Sequence, residues 1–323
     1  DSAPGIYVYY QFFSLPGHVQ EYCRKGFICN IRIYDWDENV ILRHENTIPK
    51  VVNDRIDLLN KTKLNVSPTH GLYIDDMFEL EPFMDQSIRQ PIYKTEDYQG
   101  VRDVLSVIQD EDIIQRFIDK IKGKSIILAD GHHRYAASLA CRKKMMTANP
   151  RHTADLDYNF HLMYLTNTES DDLIILPTHR LIKGFENVDE TTRIDKFRQN
   201  FIIDSPVNAY DIDAVILGTK WTFGVLFKES AYKIRLKPEA FALMQWNLPR
   251  EIKNLDLTVM HYFIIEDILG IPGPFQNKSE CIEYERSFPT CITKVVRSVA
   301  QMALITRNIS INDVKTVCRS GCT

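Results

Sequence analysis

No apolar run in the sequence approaches the roughly 18 residues that a membrane-spanning helix needs, so no membrane partner is expected. The opening residues, Asp1-Ser-Ala-Pro-Gly5, carry neither a charged segment nor an apolar one behind it, and do not read as a signal peptide. A C-x-x-C pair is also missing. The cysteines (Cys23, Cys29, Cys141, Cys281, Cys291, Cys318, Cys322) are scattered and odd in number, a pattern that suits reduced thiols in a cytoplasmic protein. Cys318 and Cys322 alone have a spacing, i and i+4, that would let two thiols chelate a metal or oxidise together. Excess positive charge is absent as well: a net charge of −4 argues against broad binding to nucleic-acid phosphates, though not against a local basic pocket for one nucleotide. There is no internal repeat and no low-complexity segment.

What remains is an ordinary globular composition, 44% hydrophobic and 25% charged over 323 residues, enough for two domains or one large one. Residues Ile6 to Phe13, dense in aromatic and β-branched types, predict a strand, Gly26 to Tyr34 a second, and Val40 to Leu42 a third after the turn Asp35-Trp-Asp-Glu-Asn39. Val52, Ile56 and Leu59 fall on one face of a helix to about Asn60, with Thr47 as its N-cap and Pro49 in its first turn. Pro68 to Ile74 reads as a strand; over Tyr98 to Ile108 strand and helix compete; Glu111 to Lys120 is an amphipathic helix. Beyond Asn149-Pro150 come a strand at Phe160 to Leu165, an apolar run at Leu173 to Leu176, a helix at Thr191 to Phe201 and a strand-rich stretch to Leu236. Helices follow at Leu255 to Leu269, Ile292 to Met302 and Asn312 to Cys318. The expected fold class is mixed α/β, with a first domain over 1–150 and an α+β region over 151–323.

Three stretches carry chemistry. Ile126 to Ala129 predicts a buried strand, followed by Asp130, Gly131 and a helix whose first turn holds His132, His133 and Arg134. Cations at a helix's partially positive end conflict with its dipole, and a bound anion would resolve the conflict. Asp130 can cap the helix, Gly131 lets backbone approach a ligand, and free amides point at the same place, which together describe a phosphate site. An ordinary structural reading of the basic cluster stays open. Adjacent His132 and His133 project roughly 100° apart on a helix, so no metal is expected of them. In the second stretch, Arg43-His44-Glu45-Asn46-Thr47, Glu45 lies in the loop before a helix, where a carboxylate serves as general base, metal ligand or simply a dipole-favoured acid. The third, Pro177-Thr-His-Arg-Leu181, places His179 and Arg180 at a strand edge, in either a structural or a ligand role.

Ile127-Leu-Ala-Asp-Gly-His-His-Arg-Tyr135, preceded by Leu42-Arg-His-Glu-Asn-Thr47 and followed by Leu176-Pro-Thr-His-Arg-Leu181, resembles the bacterial domain-of-unknown-function family ten-fifteen, whose members often carry a ParB-like or Spo0J-like label. The three motifs occur in that family's order over nearly the whole chain. The family usually has a segment before the Tyr7-Val-Tyr9 strand and a C-terminal Met-Pro-x-Lys-Ser-Thr stretch, so a chain that stops at Ser320-Gly-Cys-Thr323 is expected to be a fragment. The central motif is in turn similar to the phosphate signature of the ParB/sulfiredoxin/free-serine-kinase group, and most of all to its kinase branch. That resemblance implies a ParB/sulfiredoxin-like mixed sheet and a nucleotide-dependent phosphotransferase acting on a small hydroxyl-bearing molecule, with Mg²⁺ and ATP or ADP. It implies Glu45 as base, Asp130 as its assistant or a Mg²⁺ ligand, and Gly131, His132, His133 and Arg134 as the phosphate site. Arg43, His44, Thr47, His179 and Arg180 are the remaining candidates for substrate contact. Two alternatives stay open: a nucleotide-binding regulatory module, and a phosphoester hydrolase. Sulfiredoxin chemistry needs a thiolate where His132 stands, and imidazole cannot replace it.

Overall fold

Along Ile6–Ser14 (β1) buried and half-buried side chains alternate, the pattern of a strand with one face on a core. The computed structural model describes residues 3–15, 20–184, 190–204 and 206–321. Cys322 lies outside them, and the described cysteines are free. Among the described residues no helix is long and apolar enough to cross a membrane. The chain is mixed α/β with two sheets, and its contacts divide it into one unit of 1–174 with 317–323 and a second of 175–316.

The first unit holds an eight-stranded sheet built from β1, β2 (Glu21–Arg32), β3 (Ile41–Leu42), β4 (Thr69–Tyr73), β5 (Tyr93–Glu96), β6 (Arg102–Ile108), β7 (Ile126–Asp130) and β8 (Phe160–Asn167). Their order is β3-β7-β4-β8-β2-β1-β6-β5. Among the described residues only β3–β7 and β4–β8 are parallel pairs. Helices α1 (Pro49–Thr62), α2 (Glu81–Ser87), α3 (Glu111–Ile121) and α4 (His132–Ala148) accompany it. Phe27 of β2 meets Phe117 of α3 edge-on at 4.8 Å, and Phe117 is 2% exposed. Burying such a ring stabilises by roughly 2–3 kcal/mol, which fixes α3 to the sheet.

The second unit is built on an antiparallel sheet of β9 (His179–Ile182), β10 (Phe201–Ile203), β11 (Thr222–Leu226), β12 (Ala231–Leu236), β13 (Ile282–Glu285) and β14 (Met302–Ile305), ordered β10-β12-β11-β14-β9-β13. Its largest core gathers Phe197, Phe201, Phe223, Phe263 and the isoleucines of Met260–Ile268.

Several elements differ from the sequence reading. The strand-or-helix competition before Ile108 resolves as strand β6. The apolar run Leu173 to Leu176 is not a strand; the strand begins at His179. The helix expected at Ile292 to Met302 is Phe288–Val296, because Ser298 turns left-handed at φ 57° and Met302 starts β14. Leu255 to Leu269 begins as α-helix at Asp256–Val259 and continues as π-helix over Met260–Ile268. Helix α4 runs from His132 to Ala148, past the basic residues Arg142, Lys143 and Lys144. The contacts divide the chain after Ile174, and β8, which lies beyond residue 150, enters the first sheet between β4 and β2.

Candidate functional site at a strand-to-helix turn

Parallel pairing of β3 with β7 (Ile41 opposite Ile126, Leu42 opposite Ile127) carries the chain out of both strands at the same sheet edge. The loop after β3 holds Arg43 to Ile48, and the turn after β7 holds Gly131 and the start of α4, so two motifs far apart in sequence become neighbours. Glu45 Oε2 lies 3.6 Å from His132 Nδ1, and the His44 and His132 rings meet edge-on at 4.7 Å between centroids. Carboxyl ends of parallel strands are where open α/β sheets gather ligands.

Gly131 is the N-cap of α4, with φ +92°, and no side chain caps the helix. The cap expected of Asp130 is therefore not made. Asp130 ends β7 and its Oδ2 accepts from Arg134 Nη2 at 2.5 Å. The first intrahelical bond runs from Tyr135 N–H to Gly131 O at 3.0 Å, leaving the amides of the first turn without an intrahelical acceptor. A Cβ at position 131 would stand 2.7 Å from Thr69 Cγ2 and 2.9 Å from Arg134 Nη2, so the turn admits only glycine without rearrangement.

The basic side chains also make contacts within the protein. Arg134 donates to Ser67 Oγ at 2.9 Å and to the Pro68 carbonyl at 2.5 Å as well as to Asp130, and so braces the turn from within. His133 Nε2 accepts the Ile48 amide at 3.0 Å, tying the α1 start to the α4 start, so that nitrogen carries no proton in this arrangement. Thr47 is not the cap of α1; that position is Ile48, with no side-chain bond. His132 is 2% exposed, and burial, followed by the charge of His44, pushes its pKa down to about 4. Its ring is neutral at pH 7 and adds nothing to the conflict with the helix dipole, and the Arg134 guanidinium in the same turn is paired with the Asp130 carboxylate. Burial also lowers His44. Arg43 places its guanidinium 4.9 Å above the Trp36 ring, a cation–π contact.

Beneath the turn lies a polar chain that sequence reasoning did not single out. His161 Nε2 is 3.1 Å from Thr69 Oγ1 and its Nδ1 is 2.8 Å from Ser138 Oγ. All three residues are buried. The chain links β4, β8 and α4. A histidine inside the otherwise apolar Phe160 to Leu165 run was the available signal. Next to it, His70 Nε2 bonds Thr166 Oγ1 at 2.8 Å, where β4 shifts register against β7 between His70 and Gly71. A cavity of about 60 Å³ opens beside Arg134, Ser138 and His161. That is well short of the roughly 300–1,000 Å³ of a typical small-molecule pocket. At the sheet edge the side chains of Glu45 and Asp130 are 58% and 73% exposed.

His179 and Arg180 lie in the second unit, both buried. The Thr306 amide donates to His179 Nδ1 at 3.2 Å. Arg180 Nη2 donates to His261 Nε2 at 3.0 Å, and burial lowers the Arg180 pKa to about 10.

Fold and site define a two-unit mixed α/β protein whose first sheet presents an uncapped helix start beside a His-Glu loop. Residues 1–258 match the family described as "Protein of unknown function (DUF1015)", and the chain belongs to that family. Among curated proteins no sequence matches it. Similar solved structures include a free serine kinase in complex with AMP, at 11% identity and TM-score 0.41, over 92% of this chain and 83% of that one. A conserved hypothetical protein from Pyrococcus furiosus is similar at 10% identity and TM-score 0.40, over 92% and 86%. SbnI with C-terminal truncation from Staphylococcus aureus is similar at 9% and 0.42, over 92% and 78%. These likenesses are too remote to transfer residues or activity.

Proposed function

We propose that the chain is a nucleotide-dependent phosphotransferase that moves a phosphoryl group from ATP or ADP to a small hydroxyl compound at the edge shared by the β3–α1 loop and the start of α4. The observation that carries this reading is the approach of Glu45 to within 3.6 Å of His132 Nδ1 at a helix start that no side chain caps. The amides of the first turn supply donors and a positive field for phosphate. Glu45, on the exposed loop, takes the proton of the attacking hydroxyl while the phosphoryl group passes to its oxygen and the shortened nucleotide departs. Gly131 permits the close approach, and Arg134 acts chiefly by holding the turn in shape. His133 does the same from the loop side, and Arg43 and Thr47 border the acceptor. Mg²⁺ fits the donor present: Asp130 is a hard oxygen ligand exposed enough to leave the ion its waters, and the bound ion would neutralise phosphate charge.

A second reading, a nucleotide-binding module of the ParB-like kind with little catalysis, draws on the same turn. It is favoured by the commitment of His133 and Arg134 to contacts inside the protein. Calorimetric titration of ADP, ATP and CTP, with and without Mg²⁺, followed by a transfer screen over serine and other small hydroxyl compounds, separates the two. Glu45→Gln is expected to lower transfer by roughly 100-fold or more, the usual share of a general base, with nucleotide affinity retained. Binding without transfer to any acceptor selects the second reading. No binding of any of the three nucleotides overturns both.

A further inference from the structure

Two buried imidazole nitrogens at the same edge have no partner among the described residues: His44 Nδ1 and His132 Nε2. A buried polar atom left unpaired costs roughly 1–3 kcal/mol; on His44 that atom is one a metal ion could take, whereas on His132 the nitrogen that faces Glu45 is Nδ1 and not the unpartnered Nε2. The ring of His44 is oriented by a hydrogen bond to the Leu128 backbone carbonyl. Because Nδ1 is the unpartnered atom, that bond uses the other nitrogen, leaves a lone pair on Nδ1 and fixes the tautomer. Metal-ligating histidines are oriented in this way, by donating their second nitrogen to a carbonyl or carboxylate. His132 brings Nδ1 to 3.6 Å from Glu45 Oε2, close to the roughly 3.4 Å edge of a tetrahedron with bonds of about 2.1 Å. One ligand atom from each of His44, Glu45 and His132 can be chosen so that all three lie within 4.8 Å of one another. Glu45, whose side chain is 58% exposed on a loop, has room to adjust toward the two imidazoles.

We propose that His44, Glu45 and His132 form a binding site for a divalent transition-metal ion, with two imidazole nitrogens, one carboxylate oxygen and an open coordination position facing solvent. Two imidazoles and one carboxylate match zinc, iron, cobalt or nickel and are a poor set for Mg²⁺, which takes oxygen ligands. Three protein ligands with an open position are the composition of sites that hold a water or a ligand on the metal, not of closed structural sites. The pairing was invisible to a search for neighbouring histidines, because His132 uses the distant His44 and not His133. The site goes beyond the phosphotransferase reading and needs no nucleotide. It also makes Glu45 a shared group, so an ion bound there competes with the proton-accepting role.

The test is a calorimetric titration of chelator-treated, thiol-alkylated protein with Zn²⁺, Co²⁺ and Mg²⁺, without nucleotide. One equivalent of Zn²⁺ or Co²⁺ is expected, with Mg²⁺ at least 100-fold weaker. The visible spectrum of bound Co²⁺ should report nitrogen and oxygen ligands in a site of low coordination number. Glu45→Gln and His44→Gln, each checked for unchanged circular dichroism, should weaken Zn²⁺ at least tenfold. Affinity unchanged in both variants, or Mg²⁺ binding as tightly as Zn²⁺, overturns the site. Nucleotide titration of the metal-free protein is independent of this result, so loss of either reading leaves the other standing.

Discussion

At Gly131 the backbone sits at φ +92°, and the atoms a methyl group would meet belong to Thr69 and Arg134. Gly123, with φ +76°, has nothing within 4 Å of its would-be Cβ. Both positions carry the left-handed penalty of about 1–2 kcal/mol for an L side chain, but only the first adds overlap, of roughly 1–3 kcal/mol. Gly131→Ala is therefore expected to lower unfolding free energy more than Gly123→Ala, by about the overlap contribution, in urea denaturation. Equal losses would show that the turn relaxes freely and that Thr69 does not hold it. At this scale the sequence was a partial guide. Asp130-Gly131-His132-His133-Arg134 stands out as a strand-to-helix turn from its residue types alone. What His132 and His133 do there depends on His44 and Ile48, which only the fold brings near. Thr69, Ser138 and His161 are common residue types with no spacing that marks them, and their bonds cross up to 92 positions.

Helix starts in the first unit are finished in two ways. At α3 the Asp110 side chain accepts from the Asp112 and Ile113 amides at 3.0 and 3.1 Å. At α1 and α4 no side chain does this. Asp110→Ala should thus cost about 1 kcal/mol, the usual value of an N-cap, measured as a shift of the urea midpoint. The α4 start, by contrast, has no side-chain cap on its first-turn amides. Where elements were misread, the reason was competition between equally apolar continuations. Ile292 to Met302 is apolar enough to extend a helix, yet Met302–Ile305 is claimed by the sheet, where β14 pairs with β9 and β11 on either side. Periodicity over a few residues cannot weigh that pairing against another helical turn. The parallel β3–β7 pair, two residues long, was the feature least legible and the one that assembles the site.

For the whole chain, the mixed α/β class followed from the alternation of strand and helix patterns, whereas which strands share a sheet is not written in that alternation. The polar stretch before Phe160 looks like a linker, but the strand it leads to is inserted in the first sheet, parallel to β4 and antiparallel to β2. Sheet membership is set by pairing partners that sequence order does not name. Both units nonetheless share one electrostatic property. His70 and His161 in the first, and His179 and His261 in the second, are each held to about 4 from an ordinary 6.5, with burial the largest cause. His261 shows how the neutral form is kept: Arg180 can only donate, so His261 Nε2 accepts, and Nδ1 donates to Gln276 Oε1 at 2.6 Å. Above pH 6.5 these histidines are neutral in both the folded and the unfolded chain and cost nothing. Between 6.5 and about 4 the unfolded chain binds protons that the folded chain refuses, so the unfolded state gains stability as pH falls. Each histidine contributes on the order of 1 kcal/mol per pH unit across that window. The urea midpoint should accordingly hold steady above pH 6.5 and fall steeply below it. A His161→Gln variant, keeping an amide between Thr69 and Ser138, should show a shallower fall than the parent chain. A midpoint that stays level down to pH 4 would mean that the buried rings take up protons in place, against the desolvation that their surroundings impose.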